Sequence, residues 1–391
     1  MSSNKQKEKD IKTIPIVSNS FTEAEIFISD NYDLRFNNVS LGFEGKNKND
    51  KEFKPLNENN LYRDLQKSGL KISMNQLIIL LKSDFVEQYD PLINYFESLP
   101  KWDGIDHIKN LSIFVNANDQ DQFNYHFKKN LVRIVACAIN PNYFNKQAFI
   151  LVHNKQNSGK STFCRFLCPS KLSNYIAEDI ATDKDSRILI VKNLLINLDE
   201  LASISKKDIN SLKAMFSKIQ INERLPFDKK NSIIKRRCSF VGSTNQTQFL
   251  TDETGSVRWL CFEIDSIDWQ YSKKIDMNKV YSQALHLYND SSFEMELSPT
   301  DIKENEIRNS AYQMLTVERE LIQTYFEPDY KKHPANFKNA TDIIMRLQTI
   351  TENSFRLNNV QIGKALRFLK YPTGRNNRGF SGYYLKECIN T

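Results

Sequence analysis

Two spacings of apolar residues divide the chain. Leu61, Leu65, Leu70, Ile78, Leu81 and Phe85 recur at helical intervals, as do Leu131, Ile134, Val135 and Ala138, so the stretch from Leu61 to about Asn140 is predicted helical. Ahead of it, Tyr32-Asp33-Leu34-Arg35-Phe36-Asn37-Asn38-Val39 alternates, and Gly45-Lys46-Asn47-Lys48-Asn49-Asp50 supplies a polar loop. Residues 31–55 therefore read as a β-hairpin with its loop at 45–50. From about Lys146 to Asp265 short apolar runs alternate with helical stretches: Ala148-Phe149-Ile150-Leu151-Val152, Leu194-Leu195-Ile196-Asn197-Leu198, and Cys238-Ser239-Phe240-Val241. Alternation of that kind predicts a parallel sheet with helices on its faces. Residues 275–325 return to helical spacing. Beyond Pro328 and Pro334, helices are expected near Ala340–Ile350 and Val360–Phe368. They precede a Gly-rich basic hairpin, Thr373-Gly374-Arg375-Asn376-Asn377-Arg378-Gly379-Phe380, which completes the outline of a winged helix-turn-helix.

Composition narrows the class. At 391 residues two or three domains are expected, and 40% hydrophobic content with 25 Phe and 16 Tyr is ample for a sizeable core. No apolar run approaches the roughly 20 residues of a membrane span. Residues 1–20 are polar and Lys-rich at the outset, without the apolar stretch of a secretory signal, and read as a disordered lead. The six cysteines are scattered without a CxxC pair, which fits a reducing cytoplasm; Cys164 and Cys168 are read as core-facing thiols rather than metal ligands. Charge is unevenly placed: Lys331 to Thr391 hold 11 Lys and Arg against 3 Asp and Glu, whereas the first 330 residues hold 43 against 44. A basic terminal module on a neutral body points to a polyanion partner.

The chemistry-bearing motif is Asn154-Lys155-Gln156-Asn157-Ser158-Gly159-Lys160-Ser161-Thr162. It follows an apolar strand and precedes Phe163-Cys164-Arg165-Phe166-Leu167, a helix, as a phosphate-binding P-loop must. Backbone N–H groups would cradle phosphates, Lys160 would reach the β/γ oxygens, and Ser161 would ligate Mg²⁺. The pattern asks for Gly at both ends; Asn154 stands at the first and is a residue type that tolerates a positive φ. About 40 residues on, a second strand ends in Asp199-Glu200: Asp199 is placed to hold the metal, and Glu200 to activate the attacking water. A third strand ends in Gly242-Ser243-Thr244-Asn245, where Asn245 would bond that water or the γ-phosphate. Arg258, opening a later strand, suits an arginine finger offered to a neighbouring subunit's nucleotide. Between these, Arg224, Lys229 and Lys230 lie on a basic segment that leads to Lys235-Arg236-Arg237 and would face a central channel if subunits form a ring.

This order of motifs, with Arg224-x-Pro226-Phe227-x-Lys229 between Asp199-Glu200 and Gly242-Ser243-Thr244-Asn245, and with Thr254-Gly255-x-x-Arg258 after them, resembles the virulence-associated protein E (VapE-like) family. The lead-in Asp84-Phe85-Val86-x-x-Tyr89-Asp90-Pro91 and Leu99-Pro100-x-Trp102-Asp103-Gly104 is similar as well, so the likeness runs from about Tyr32 to Asn289. The family comprises AAA+ ATPases of phages, plasmids and genomic islands, related to superfamily 3 replicative helicases. The resemblance implies ATP and Mg²⁺ as cofactors, Asn245 as sensor and Arg258 as a finger in trans. Asn154 and Asn157 stand where family members carry Gly, and Lys229 where many carry Arg, which keeps charge but loses the bidentate fork.

The fold expected is α/β: an AAA+-like P-loop NTPase core with a parallel sheet (146–325), a hairpin and helical region before it (21–145), and a small winged-helix-like domain after it (331–391). Nucleotide contacts are assigned to Asn154, Gln156, Asn157, Ser158, Gly159, Lys160, Ser161 and Thr162, metal to Ser161 and Asp199, catalysis to Glu200, Asn245 and Arg258, and DNA contacts to Arg224, Lys229, Lys230, Lys364, Arg367, Arg375 and Arg378. The function expected is a DNA-dependent ATPase, a ring-forming replicative helicase acting on single-stranded or forked DNA as a homo-oligomer such as a hexamer. An ATP-gated DNA-binding switch or origin loader needs the same site and stays open. A small-molecule kinase is disfavoured by the basic tail. No acidic metal cluster upstream and no zinc ribbon marks a primase, so priming would fall to a separate primase or initiator.

Overall fold

A computed structural model describes residues 19–178, 184–199, 201, 206–224, 230–250, 257–376 and 379–388. The first unit is α1 (Ser20–Asn31), β1 (Tyr32–Asn37), β2 (Gly42–Asn47), β3 (Lys54–Pro55), α2 (Glu58–Lys67), α3 (Met74–Leu81) and β4 (Glu87–Tyr89), with strand order β3-β2-β1-β4. Its hairpin turns earlier than the sequence predicts. The Asn37 carboxamide accepts from the Val39 and Ser40 N–H groups at 3.0 and 2.9 Å, and Leu41 takes φ 57°, which closes the turn at 38–41 and leaves Gly45-Lys46-Asn47 inside β2. The helical stretch after it breaks at Gly69 (φ 85°), separating α2 from α3.

The central body follows with α4 (Pro91–Glu97), α5 (His107–Ser112), β5 (Val115–Ala117), α6 (Gln120–Ile139), β6 (Ala148–Val152), α7 (Lys160–Phe166), β7 (Ile176–Glu178), α8 (Lys184–Lys192), β8 (Leu195–Leu198), α9 (Lys206–Phe216), β9 (Gln220–Glu223), β10 (Ser232–Lys235), β11 (Ser239–Thr244), β12 (Trp259–Ile267), α10 (Tyr271–Lys274), α11 (Met277–Asn289) and α12 (Pro299–Ser310). Six strands form one sheet in the order β5-β12-β6-β11-β8-β7. All neighbours are parallel except β5 and β12. Every residue of β6, β8 and β11 is buried, as a sheet covered on both faces requires. One face is closed by Phe123, Phe127 and Leu131 of α6 together with α5, α7 and α11; the other by Ile190, Val191, Leu212 and Phe216. Within β11, Gly242 is fixed by space: a Cβ there would lie 2.6 Å from the Leu198 carbonyl oxygen.

β9 and β10 pair only with each other among the described strands, as a two-stranded antiparallel ribbon apart from the main sheet. The basic run behind it, expected to lead a channel-facing segment, turns inward at Arg236 and Arg237. Arg236 is fully buried and donates to the carbonyls of Cys238, Phe216, Asn145 and Met215 at 2.9, 2.7, 2.7 and 3.4 Å, and Arg237 pairs with Asp90 at 2.6 Å. The C-terminal unit is α13 (Val317–Tyr325), β13 (Phe326–Pro328), β14 (Phe337–Lys338), α14 (Ala340–Ile350), α15 (Asn359–Phe368), β15 (Thr373–Arg375) and β16 (Ser381–Glu387). β16 pairs antiparallel with β13, β14 and β15, and Ile322, Phe326, Ile343, Leu347, Ile362, Leu366 and Leu385 make a separate small core. Among the described residues no helix is long and apolar enough to cross a membrane.

Candidate nucleotide-binding site

Most helices of this chain open on a side-chain cap: Asn19, Asn57, Ser73, Asp90, Asp106 and Asp119 accept from the first turns of α1 to α6. α7 does not. Its N-cap is Gly159 in the left-handed region (φ 86°), and no side chain caps its first N–H groups. The loop from His153 to Gly159 arrives from β6, the centre of the sheet, and needs a second left-handed residue. That residue is Asn157 (φ 56°), so the tolerance for positive φ expected of Asn154 is used three positions later, and Asn154 is not among the positive-φ residues.

Lys160 is 5% exposed, and its ammonium is wrapped by the loop: it donates to the carbonyls of His153 and Lys155 at 3.3 and 3.2 Å, to Ser158 Oγ at 2.7 Å and to Asn245 Oδ1 at 2.9 Å. Burial holds its pKa below the ordinary lysine value, with Asp199 opposing. The Asn245 contact exists because β11 lies directly beside β6 in the sheet. On the other side of β11, β8 ends at Asp199, whose Oδ1 accepts from Ser161 Oγ at 2.6 Å and from Ser243 Oγ at 2.7 Å; the two hydroxyls are 3.1 Å apart. Arg165 joins from α7, pairing with Glu178 at 2.7 Å and reaching Asp199 at 3.4 Å. The Glu178 bond raises the Arg165 pKa further.

These groups line an open cavity of about 490 Å³ formed by Gln156, Asn157, Ser158, Gly159, Lys160, Ser161, Thr162, Arg165, Asp199, Ser243, Thr244, Asn245 and Trp269. Asn154 does not line it. Glu200 lies outside the described residues. Ser243, Arg165 and Trp269 escape the sequence reading. Ser243 stands inside a motif that draws attention to its last residue, and nothing local marks Arg165 or Trp269 as neighbours of a loop. Cys164 and Cys168 are buried as expected, each thiol pushed up to about 12 by burial, which suits core packing and not metal ligation.

Arg258 is not part of this cavity. Its carbonyl accepts from the Ala148 N–H at 2.8 Å and its Nε donates to Ser217 Oγ at 3.0 Å, which puts it at the opposite end of β6 from the loop. The residues assigned to DNA divide between two places. Arg224 and Lys230 are exposed at the ends of the β9–β10 ribbon, while Lys229 is outside the described residues. Lys364 and Arg367 sit three apart on α15, and Arg375 ends β15, whereas Arg378 is outside the described residues.

The sequence profile of the virulence-associated protein E-like domain matches residues 96–314. No curated protein matches the chain. Among solved structures, an apo form of the NrS-1 C-terminal region, residues 305–718, superposes with a TM-score of 0.54 at 13% identity, covering 95% of this chain and all of that one. A second apo form of the NrS-1 C-terminal region gives 0.52 at 14% identity, covering 94% and 100%. At such identities the likeness is one of fold.

Proposed function

The chain belongs to the virulence-associated protein E-like domain family, and from that premise we propose that it is a DNA-dependent P-loop ATPase of the AAA+ type, working as a ring-forming replicative helicase of a mobile genetic element. The observation that carries the reading is the convergence across three adjacent parallel strands. The strand leading into the loop, the strand ending in Asn245 and the strand ending in Asp199 lie side by side, which brings Lys160 to 2.9 Å from Asn245 and Ser161 to 2.6 Å from Asp199. A nucleoside triphosphate is the substrate class that uses a buried ammonium, a row of loop N–H groups and a hydroxyl–carboxylate pair together. NrS-1, whose C-terminal region has this fold, supports nothing finer at 13% identity.

On this reading the phosphates displace the loop carbonyls from Lys160, which then carries the β/γ oxygens. Ser161 and Asp199 are hard oxygen donors and suit Mg²⁺, with Ser243 orienting the Asp199 carboxylate. The metal, when bound, offsets charge on the phosphoryl oxygens. Glu200 takes the proton of the attacking water, and Asn245 holds that water or the γ-phosphate. Arg258, at the far end of its own sheet, serves a neighbouring subunit's nucleotide, so the active unit is an oligomer such as a hexamer. DNA is gripped by Arg224, Lys229 and Lys230 and by a winged-helix-like terminal unit through Lys364, Arg367, Arg375 and Arg378, with phosphate contacts that weaken steeply with salt. Priming falls to a separate primase or initiator.

The test is ATP turnover with and without single-stranded DNA, for the native chain and Glu200→Gln. Stimulation by DNA, lost in Glu200→Gln, is expected. Turnover indifferent to DNA, with forked DNA left paired, favours the second reading, an ATP-gated switch or origin loader. Absence of any turnover overturns the ATPase.

A further inference from the structure

Trp269 is 52% exposed, and it is the sole aromatic among the described residues lining the cavity. Its ring lies against the loop: a Cβ built on Gly159 would come within 2.8 Å of the six-membered ring, so the absence of a side chain at Gly159 is what admits the indole. The backbone turn that carries it is pinned. The Asp268 N–H donates to the Phe114 carbonyl at 2.8 Å, the Asp268 carboxylate accepts from the Gln270 N–H at 3.0 Å, and Ser272 Oγ donates to the Trp269 carbonyl at 3.0 Å. Two residues after Trp269, Tyr271 is 1% exposed and sets its ring edge-on to Phe163 and Phe166 of α7, at centroid distances of 5.2 and 4.8 Å. The turn carrying Trp269 is thereby bolted to the helix that begins at Lys160.

We propose that Trp269 is the platform on which the nucleobase of the bound nucleotide stacks. The inference rests on reading the cavity as a nucleoside triphosphate site. Lys160, Ser161, Asp199, Ser243 and Asn245 take the phosphate and metal end with charge and hydroxyls, and have nothing to offer a flat heteroaromatic ring. Among the described lining residues the indole is the one aromatic face, and the Arg165 guanidinium, the other planar group that could stack, is engaged by Glu178 and Asp199. The indole is large, carried on a pinned turn and half open to solvent, a state whose exposed apolar face a base covers at little entropic cost. Stacking uses the face of a base and not its hydrogen-bonding edge, so it accepts adenine and guanine alike.

The experiment measures binding of ATP, GTP and inorganic tripolyphosphate by calorimetry to the native chain, Trp269→Ala and Trp269→Phe. Stacking of one base is worth about 10-fold to 100-fold in affinity. Trp269→Ala is expected to weaken ATP and GTP by that factor while leaving tripolyphosphate unchanged, and Trp269→Phe to restore most of the loss. ATP is also expected to quench native tryptophan fluorescence, tripolyphosphate not to, and Trp269→Phe to remove the quench. Equal weakening of ATP and tripolyphosphate in Trp269→Ala would overturn the proposal, because the indole would then act by shaping the loop at Gly159. Unchanged ATP affinity in Trp269→Ala would overturn it as well. A native chain that binds neither ATP nor tripolyphosphate takes down the nucleotide reading itself, an outcome distinct from either.

Discussion

The two edges of the six-stranded sheet are built from the same strands and are chemically opposite. At the carboxyl edge, β6, β11 and β8 deliver Lys160, Ser161, Ser243, Asn245 and Asp199 into one cavity as two neighbouring hydrogen-bonded groups, Lys160 with Asn245 and Ser161 with Ser243 and Asp199. At the amino edge two arginines, one ahead of β11 and one ahead of β12, do separate things. Arg236 is fully buried, satisfied by four backbone carbonyls and set against the Phe240 ring at 4.8 Å. Arg258 is half-buried, with Ser217 Oγ at 3.0 Å. The contrast separates a charge that belongs to the fold from a charge the fold hardly uses: Arg236 has become a rivet, while Arg258 is held by one exposed hydrogen bond worth about 1 kcal/mol.

The largest effect expected from breaking this contrast is functional. Arg258→Ala should lower ATP turnover of the assembled protein about 1,000-fold while shifting unfolding stability by no more than about 1 kcal/mol. Turnover equal to the native chain would confine the chemistry to the carboxyl edge. Next comes Arg236→Met, which leaves four buried carbonyls without their donor and should cost about 3 kcal/mol in urea unfolding. A loss below about 1 kcal/mol would mean that the carbonyls find other partners and that Arg236 is no rivet. The smallest effect is Ser243→Ala at the carboxyl edge. It removes one hydroxyl from Asp199, and should raise the Mg²⁺ concentration needed for half-maximal turnover about tenfold at a stability cost of about 1 kcal/mol. An unaltered Mg²⁺ dependence would strip Ser243 of its orienting part.

How far the sequence carries depends on the range over which each feature is encoded. The strands at Ala148–Val152 and Leu195–Leu198 are unbroken apolar runs, and burial on both faces leaves no other arrangement for them. The loop-to-helix junction at Gly159-Lys160-Ser161 is legible because a glycine with positive φ opening a helix is a local backbone shape. The hairpin near the N-terminus is legible as a hairpin but not in its register, because the Asn37 side chain bonds two following N–H groups and that outweighs the pull of the later Gly-Lys-Asn stretch. Arg236 reads as one more surface cation in a basic run, since nothing local announces carbonyls contributed from 145, 215 and 216. Trp269 and Ser243 reach the site through sheet order and the packing of α10 on α7, and both are long-range facts.

The amino and carboxyl edges are also joined by a single mechanical element. The Ala148 N–H is bonded to the Arg258 carbonyl, and five residues later the same strand delivers the chain to the loop that begins at His153. Five residues at about 3.3 Å each make a strut of about 16 Å. It is laced to β11 on one side and β12 on the other, and every residue in it is buried. A push or pull on Arg258 therefore loads a stiff rod whose far end is the loop around Lys160, and the sheet carries that load along its grain with no hinge between.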